Sequence, residues 1–309
     1  MILLVGGGLA VWLGAEGMVR GSVKLAGYLG VPSLIIGLTV VAFGTSAPEL
    51  VVSSFASARG HGQIALGNVI GSNIINIGLV LGLSTLLAPI SVGAQVLKRD
   101  VSVVVVVTLG VVVMAWIGGQ VSRIDGIILL LGFATHTVMS YKLALKEQSR
   151  ITTTPGWKRP ELKSYHIGIL IGGTIILAGG AEGMVKGAVG IAEDFGISKR
   201  IIGMTIVAFG TSVPELAASM VAAKHGEGDL ALGNVVGSNL YNMLLILGTA
   251  SVIRPVASNI AWPGIDFIFF IVFVLVLAPM IRMGWRLSRT DGFILLALYA
   301  IFNVLLFVL

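Results

Sequence analysis

Four acidic residues of this chain stand where an acid is costly. Glu16, Glu49, Glu182 and Glu215 lie inside long apolar stretches, whereas the other acidic residues fall in loops or at stretch ends. An ionisable group inside a membrane span costs several kcal/mol unless it is paired, hydrated or bound to a cation. Glu49 sits in GTSAPE and Glu215 in GTSVPE. Pro48 has no N–H, and its ring clashes with the carbonyl of Gly44; Pro214 does the same to Gly210. With Gly, Thr and Ser alongside, each helix is expected to unwind near its middle and release carbonyl oxygens. Each motif then offers a carboxylate, two hydroxyls (Thr45 and Ser46; Thr211 and Ser212) and freed carbonyls. All are oxygen donors, which suit hard cations such as Ca²⁺ and Na⁺. A lone Pro-interrupted span is ordinarily a packing kink. The same acid beside two equivalent breaks, with no Lys or Arg in mid-span to neutralise it, points to a cation site.

The next apolar stretch after each acid carries GNVIGSNIIN (67–76) or GNVVGSNLYN (233–242). Four-residue spacing puts Ser72 on one helix face with Asn68 and Asn76, and Ser238 on one face with Asn242. Such residues usually serve as hydrogen-bonding glue between spans. Glu16 and Glu182 each lie in AEGMV, where a structural or gating role beside the ion pathway is favoured over direct ligation. His136 has no counterpart in the other half, where Phe302 stands, and reads as a packing residue. Asp125 and Asp291 open a span in SRIDG and SRTDG and read as capping its N-terminus. The glycines of LLVGGGLAVWLG lack the GxGxxG spacing and a βαβ setting, so a nucleotide loop is rejected.

These residues are positioned by a duplication. AEGMVRGS, VAFGTSAPEL, ALGNVIGSNIIN and SRIDG all recur in near-identical form at an offset of 166 residues. Each half holds five apolar segments, near 2–28, 31–58, 64–87, 101–119 and 126–142, then 168–190, 199–222, 230–252, 265–281 and 291–309. The expected organisation is a first repeat over 1–143, a polar linker over 144–166 and a second repeat over 167–309. Five spans per half is an odd number, so the second half enters the membrane from the opposite side. Inverted repeats of this kind build many secondary transporters.

Composition agrees. Hydrophobic residues make up 56% and charged residues 11% of 309, with a mean hydropathy of +1.01. So few charges cannot cover a soluble protein of this size. The chain reads as an all-α polytopic membrane protein, and disorder, coiled coil and nucleic-acid binding are excluded. Placing both termini outside and the linker in the cytoplasm puts fourteen of the 20 Lys and Arg on the inner side. That accounts for the net charge of +6. No cysteine is present, which removes disulfides and thiolate metal sites. No basic region precedes the first apolar segment, so a cleaved leader is not expected.

GTS-x-PE in the second span of each half, followed by GN-xx-GSN in the third, resembles the cation/calcium antiporter superfamily. The nearest pattern is its prokaryotic sodium/calcium exchanger-like branch. The resemblance covers essentially the whole chain. It implies ten transmembrane helices, with spans 2, 3, 7 and 8 as a core and spans 1 and 6 as a long, slanting pair that slides across it. It implies Ca²⁺ ligation by the carboxylates of Glu49 and Glu215 and the carbonyls of Thr45 and Thr211. Flanking Na⁺ sites would use the carbonyls of Ala42 and Ala208 with the hydroxyls of Ser46, Ser72, Ser212 and Ser238. Asn76 and Asn242 take the central positions of spans 3 and 8, where potassium-coupled relatives commonly carry acids. Both being neutral argues against potassium coupling.

The expected function is Ca²⁺/Na⁺ antiport by alternating access in the plasma membrane of a prokaryote. One chain is expected to suffice, with inorganic cations and the bilayer as its partners and neither cofactor nor nucleotide. A proton as counter-ion stays open. A cation channel ranks below both, and an enzyme is not expected because no HExxH or Ser–Lys arrangement is present.

Overall fold

The computed structural model describes residues 2–93, 97–194, 208–258 and 264–308. Two long helices lie against each other, α1 (Ile2–Leu29) and α7 (Ser164–Asp194). Both carry glycine at every seventh position: Gly7, Gly14 and Gly21 in α1, and Gly173, Gly180 and Gly187 in α7. Near-heptad spacing keeps such residues on one helix face, and small residues let backbones meet closely in lipid. A Cβ on Gly14 would lie 2.4 Å from the Leu177 backbone nitrogen, and one on Gly173 would lie 2.5 Å from that of Met18. At 28 residues, α1 is about 42 Å long, longer than a hydrocarbon core of about 30 Å. It must tilt or project.

The second span is α2 (Ser33–Thr45) followed by α3 (Ala47–Ala58), bent by 48° at Ser46. The break precedes Pro48 by two residues. Proline is tolerated in the first turn of a helix, so the new helix starts around it and the irregular residue falls just upstream. The second half repeats this with α8 (Ala208–Thr211) and α9 (Val213–Lys224). Ser212 (φ −89°, ψ 2°) matches Ser46 (φ −83°, ψ 4°). The expected span near 199–222 is described from Ala208 onward; its earlier part lies outside the described residues.

The molecule's centre is formed by α4 (Gly62–Leu87) and α10 (Gly228–Ile253), of whose apolar windows 78% and 94% are buried. Each contains a π-helical stretch, Asn76–Leu81 and Tyr241–Ile246. Outside them stand α5 (Ser102–Ile117), α6 (Arg123–Thr152), α11 (Ile265–Arg282) and α12 (Arg289–Val308). Among the described residues eight helices are long and apolar enough to cross a membrane, nine if α2 and α3 count as one broken span. The fold is an all-α polytopic membrane protein, and a plan of two inverted five-helix halves accommodates every one of these spans.

Three local features refine the sequence reading. The polar stretch 144–166 is helical at both ends: α6 runs on to Thr152 and α7 begins at Ser164, leaving 153–163 as the connection. Residues such as Lys142, Leu145 and Lys146 are good helix formers and simply extend the span beyond the apolar region. The N-cap of α6 is Ser122, with Asp125 as its reciprocal partner in a capping box. The Ser122 N–H donates to Asp125 Oδ2 (2.8 Å), and the Asp125 N–H donates to the Ser122 hydroxyl (3.2 Å). Ser288 and Asp291 repeat it. Finally, two pairs of two-residue strands link the halves: β1 (Ile90–Ser91) with β4 (Arg286–Leu287), and β2 (Gln120–Val121) with β3 (Val256–Ala257). The 166-residue offset converts one pair into the other.

Candidate cation-binding site

Thr45 closes α2, Ser46 occupies the break, and Glu49 lies in the first turn of α3. Thr211, Ser212 and Glu215 occupy the same places around α8 and α9. Both glutamates are 1% exposed. An acid in a first turn faces the positive end of its helix, which favours negative charge there. Pro48 and Pro214, lacking N–H, leave the carbonyls of Gly44 and Gly210 without their i+4 donors.

The halves meet through these residues. The Ser46 hydroxyl donates to Glu215 Oε1 at 2.9 Å, and Ser238 reaches the same oxygen at 3.4 Å. Ser212 and Ser72 hydroxyls are 3.3 Å apart across the repeat interface. Glu49 faces its symmetry mate Glu215, with the hydroxyls of Ser212 and Thr211 beside it, yet neither of its oxygens makes a hydrogen bond of good geometry. Glu215 Oε2, Asn76 Oδ1 and both amide atoms of Asn242 are likewise buried without a partner. Buried polar groups are nearly always satisfied. The cluster gathers carboxylate and amide oxygens at the centre of the protein, the donor chemistry that hard cations take.

Ala42 ends up one turn before the Ser46 break, fully buried, and its carbonyl accepts the Ser46 N–H at 3.0 Å. Ala208 opens α8. Ser72, Asn76, Ser238 and Asn242 are all buried on α4 and α10. Asn76 and Asn242 fall in the π-helical stretches, where the ladder of i→i+4 bonds is interrupted and functional groups are often found.

Glu16 and Glu182 are not brought into this cluster. Glu16 accepts from Arg20 Nε at 2.6 Å and lies 2.8 Å from His225 Nε2, at the end of α9. Glu182 pairs with Lys186 one turn along α7, and its side chain is 66% exposed. His136 lines a cavity of about 270 Å³ between α5 and α6, beside the Arg99–Asp100 pair.

A family model described as sodium/calcium exchanger protein matches residues 1–142 and 165–308. The chain belongs to the sodium/calcium exchanger family. The sodium/calcium exchanger MaX1 of Methanosarcina acetivorans is 31% identical over 99% of this chain and 98% of its own. The inner membrane protein YrbG of Escherichia coli (strain K12) is 36% identical over 82% and 79%. A solved structure of the sodium-calcium exchanger NCX_Mj, soaked with zero Na⁺ and Ca²⁺, superposes with a TM-score of 0.84 at 34% identity. It covers 97% of each chain.

In this exchanger a second group of residues supports the pocket that the sequence reading did not assign to it. Asn234 and Asn68 each contact a threonine of the opposite half, and Ser219 and Ser53 each accept from one of these amides. The signal was present. Asn68 and Asn234 open GN-xx-GSN, and Ser53 and Ser219 obey the same offset.

Proposed function

We propose that this protein exchanges Ca²⁺ for Na⁺ across the membrane by alternating access, through the pocket between Glu49 and Glu215. The observation that carries the reading is the pair of buried carboxylates, one from each half, beside helix breaks and open oxygens. Two negative charges balance one Ca²⁺ or are shared among several Na⁺. Without a cation the pair is costly in low dielectric, so the pocket refills before the protein reorients, which favours exchange over leak. Only two acids contribute, and the remaining donors are neutral. A low ligand charge keeps a hard-cation site weak enough to release its ion.

The Ca²⁺ ligands are the carboxylates of Glu49 and Glu215 with the carbonyls of Thr45 and Thr211. Na⁺ uses the carbonyls of Ala42 and Ala208 with Ser46, Ser72, Ser212 and Ser238, and Asn76 and Asn242 complete the centre. Glu16 acts in gating, on one of the two helices that slide over the core, whereas Glu182 pairs only with Lys186 along its own helix. The exchanger works as a monomer in the plasma membrane, with both termini outside and residues 153–163 in the cytoplasm. ⁴⁵Ca²⁺ flux in proteoliposomes across imposed Na⁺, K⁺ and H⁺ gradients tests the reading. Na⁺ is expected to drive uptake; uptake driven by a pH gradient alone would assign the proton as counter-ion.

A further inference from the structure

The carbonyl oxygen of Ala42 has two lone pairs, and one of them already accepts the Ser46 N–H at 3.0 Å. The Thr45 hydroxyl lies 3.3 Å from the same oxygen. If its single proton went there, both lone pairs would be occupied and the carbonyl would be lost as a cation ligand. Competing acceptors lie on the other half of the molecule: the Glu215 carboxyl, near the Thr45 hydroxyl, and the Asn234 side-chain oxygen. Asn234 Oδ1 is 3.2 Å from the Thr45 hydroxyl. The Ser238 hydroxyl, 3.5 Å away, is directed to Glu215 instead.

Asn234 is held in place for this. It is 1% exposed, and its Nδ2 donates to the Ser219 hydroxyl at 2.9 Å and to the Glu215 backbone carbonyl at 3.4 Å. With its N–H groups committed, the amide cannot flip without presenting donors to the Thr45 hydroxyl and an acceptor to the Glu215 carbonyl. Its oxygen therefore stays turned toward Thr45. The symmetry mate repeats the arrangement: Asn68 donates to Ser53 at 2.9 Å and accepts from Thr211 at 3.4 Å.

We propose that Asn234 is a positioning residue that draws the Thr45 proton away from Ala42 and so keeps the Ala42 carbonyl available to a cation. This rests on the reading that the Ala42 carbonyl serves Na⁺. The coupling also crosses the repeat interface, because the third span of one half sets the ligand geometry of the broken span of the other. Loss of such a supporting partner typically costs about 10–100-fold in metal affinity.

The test is the Na⁺ dependence of ⁴⁵Ca²⁺ efflux from proteoliposomes containing the full chain. Four variants are compared with the parent: Asn234→Ala, Thr45→Val, the double variant and Glu49→Gln. Asn234→Ala is expected to raise the half-saturating Na⁺ concentration about tenfold or more. Thr45→Val removes the competing hydroxyl while keeping the backbone, so the double variant is expected to recover most of that loss. A role in packing alone predicts a double variant at least as impaired as Asn234→Ala, and that result overturns the proposal. So does an unchanged Na⁺ dependence in Asn234→Ala. Should Asn234→Ala not elute as a folded protein, Asn234→Leu, close to the native volume, takes its place in both arms. Glu49→Gln separates the two levels: full exchange there sinks the pocket itself, whereas an inactive Glu49→Gln beside a normal Asn234→Ala sinks only the positioning role.

Discussion

Glu49 and Glu215 differ in their surroundings although a repeat relates them. Glu215 is tied by Ser46 and Ser238, whereas Glu49 has the Ser212 and Thr211 hydroxyls beside it without a well-aligned hydrogen bond among the described residues. In the proposed site each still contributes one formal charge toward a divalent cation. Glu49→Gln and Glu215→Gln should therefore each lower Ca²⁺ exchange by more than about 100-fold, beyond what loss of a supporting partner causes. Both variants should remain folded, because a neutral amide is cheaper in the membrane than an unpaired carboxylate. Near-normal ⁴⁵Ca²⁺ flux in either would remove the central assignment. Among the described residues Asn242 has no partner for either amide atom. Asn242→Leu should cripple exchange while leaving expression and elution volume at the parent values; an active variant would place residue 242 outside the pocket. The burial of both glutamates beside helix breaks was legible in the sequence, because the same acid and proline recur in two equivalent apolar spans. The inequality between them was not. It depends on which hydroxyl of the opposite half turns toward which carboxylate, and no spacing within one motif encodes that.

The helices carry a second kind of specification, in their glycines. Gly14 and Gly173 sit where the backbones of α1 and α7 meet, and Gly172, next in sequence to Gly173, has nothing within 4 Å of its would-be Cβ. Gly14→Ala should destabilise the detergent-solubilised protein by about 1–3 kcal/mol through forced separation of the helices. Gly172→Ala should not lower the melting temperature, since it adds helix propensity without a clash. Equal effects of the two variants in a thermal melt would contradict the close approach. Glu16 and Glu182 make a parallel contrast. Glu16 joins α1 to the end of α9 through His225, whereas Glu182 pairs only along its own helix at the surface. Glu16→Gln should change the exchange rate several-fold and Glu182→Gln should leave it near the parent, both read as initial ⁴⁵Ca²⁺ flux. Periodicity revealed the helices, yet it mislaid their details. Ser46 breaks its span because Pro48 starts a helix as readily as it stops one. The π-helical stretches at Asn76 and Tyr241 have no composition of their own, and tertiary packing selects them.

At the scale of the whole molecule, two of the devices that join the halves have different mechanical consequences. The strand pairs β1–β4 and β2–β3 bind loops of one half to loops of the other, at symmetry-related places. They escaped the sequence reading because two residues are too few to show an alternating pattern, and because their partners lie in the other half of the chain. The α1–α7 pair instead lies over the core, and there the Lys224 ammonium sits 4.6 Å from the ring centre of Trp12. If alternating access moves α1 and α7 across a fixed core, the strand pins can be locked without harm. Ile90 and Leu287 are direct partners in an antiparallel ladder. Such partners have Cα atoms about 4.5–5.5 Å apart, within disulfide range. The chain has no cysteine, so an introduced pair is unambiguous. Ile90→Cys with Leu287→Cys should cross-link on oxidation and retain most of the ⁴⁵Ca²⁺ exchange. Glu16→Cys with His225→Cys, joined by a short bismaleimide, should stop exchange, and each single cysteine variant treated with the same reagent supplies its baseline. Were the strand-pin cross-link to abolish flux while the α1–α9 link left it intact, the moving and fixed parts would have to be exchanged. The pseudo-symmetric core would then be the mobile body and the glycine-packed helices its frame.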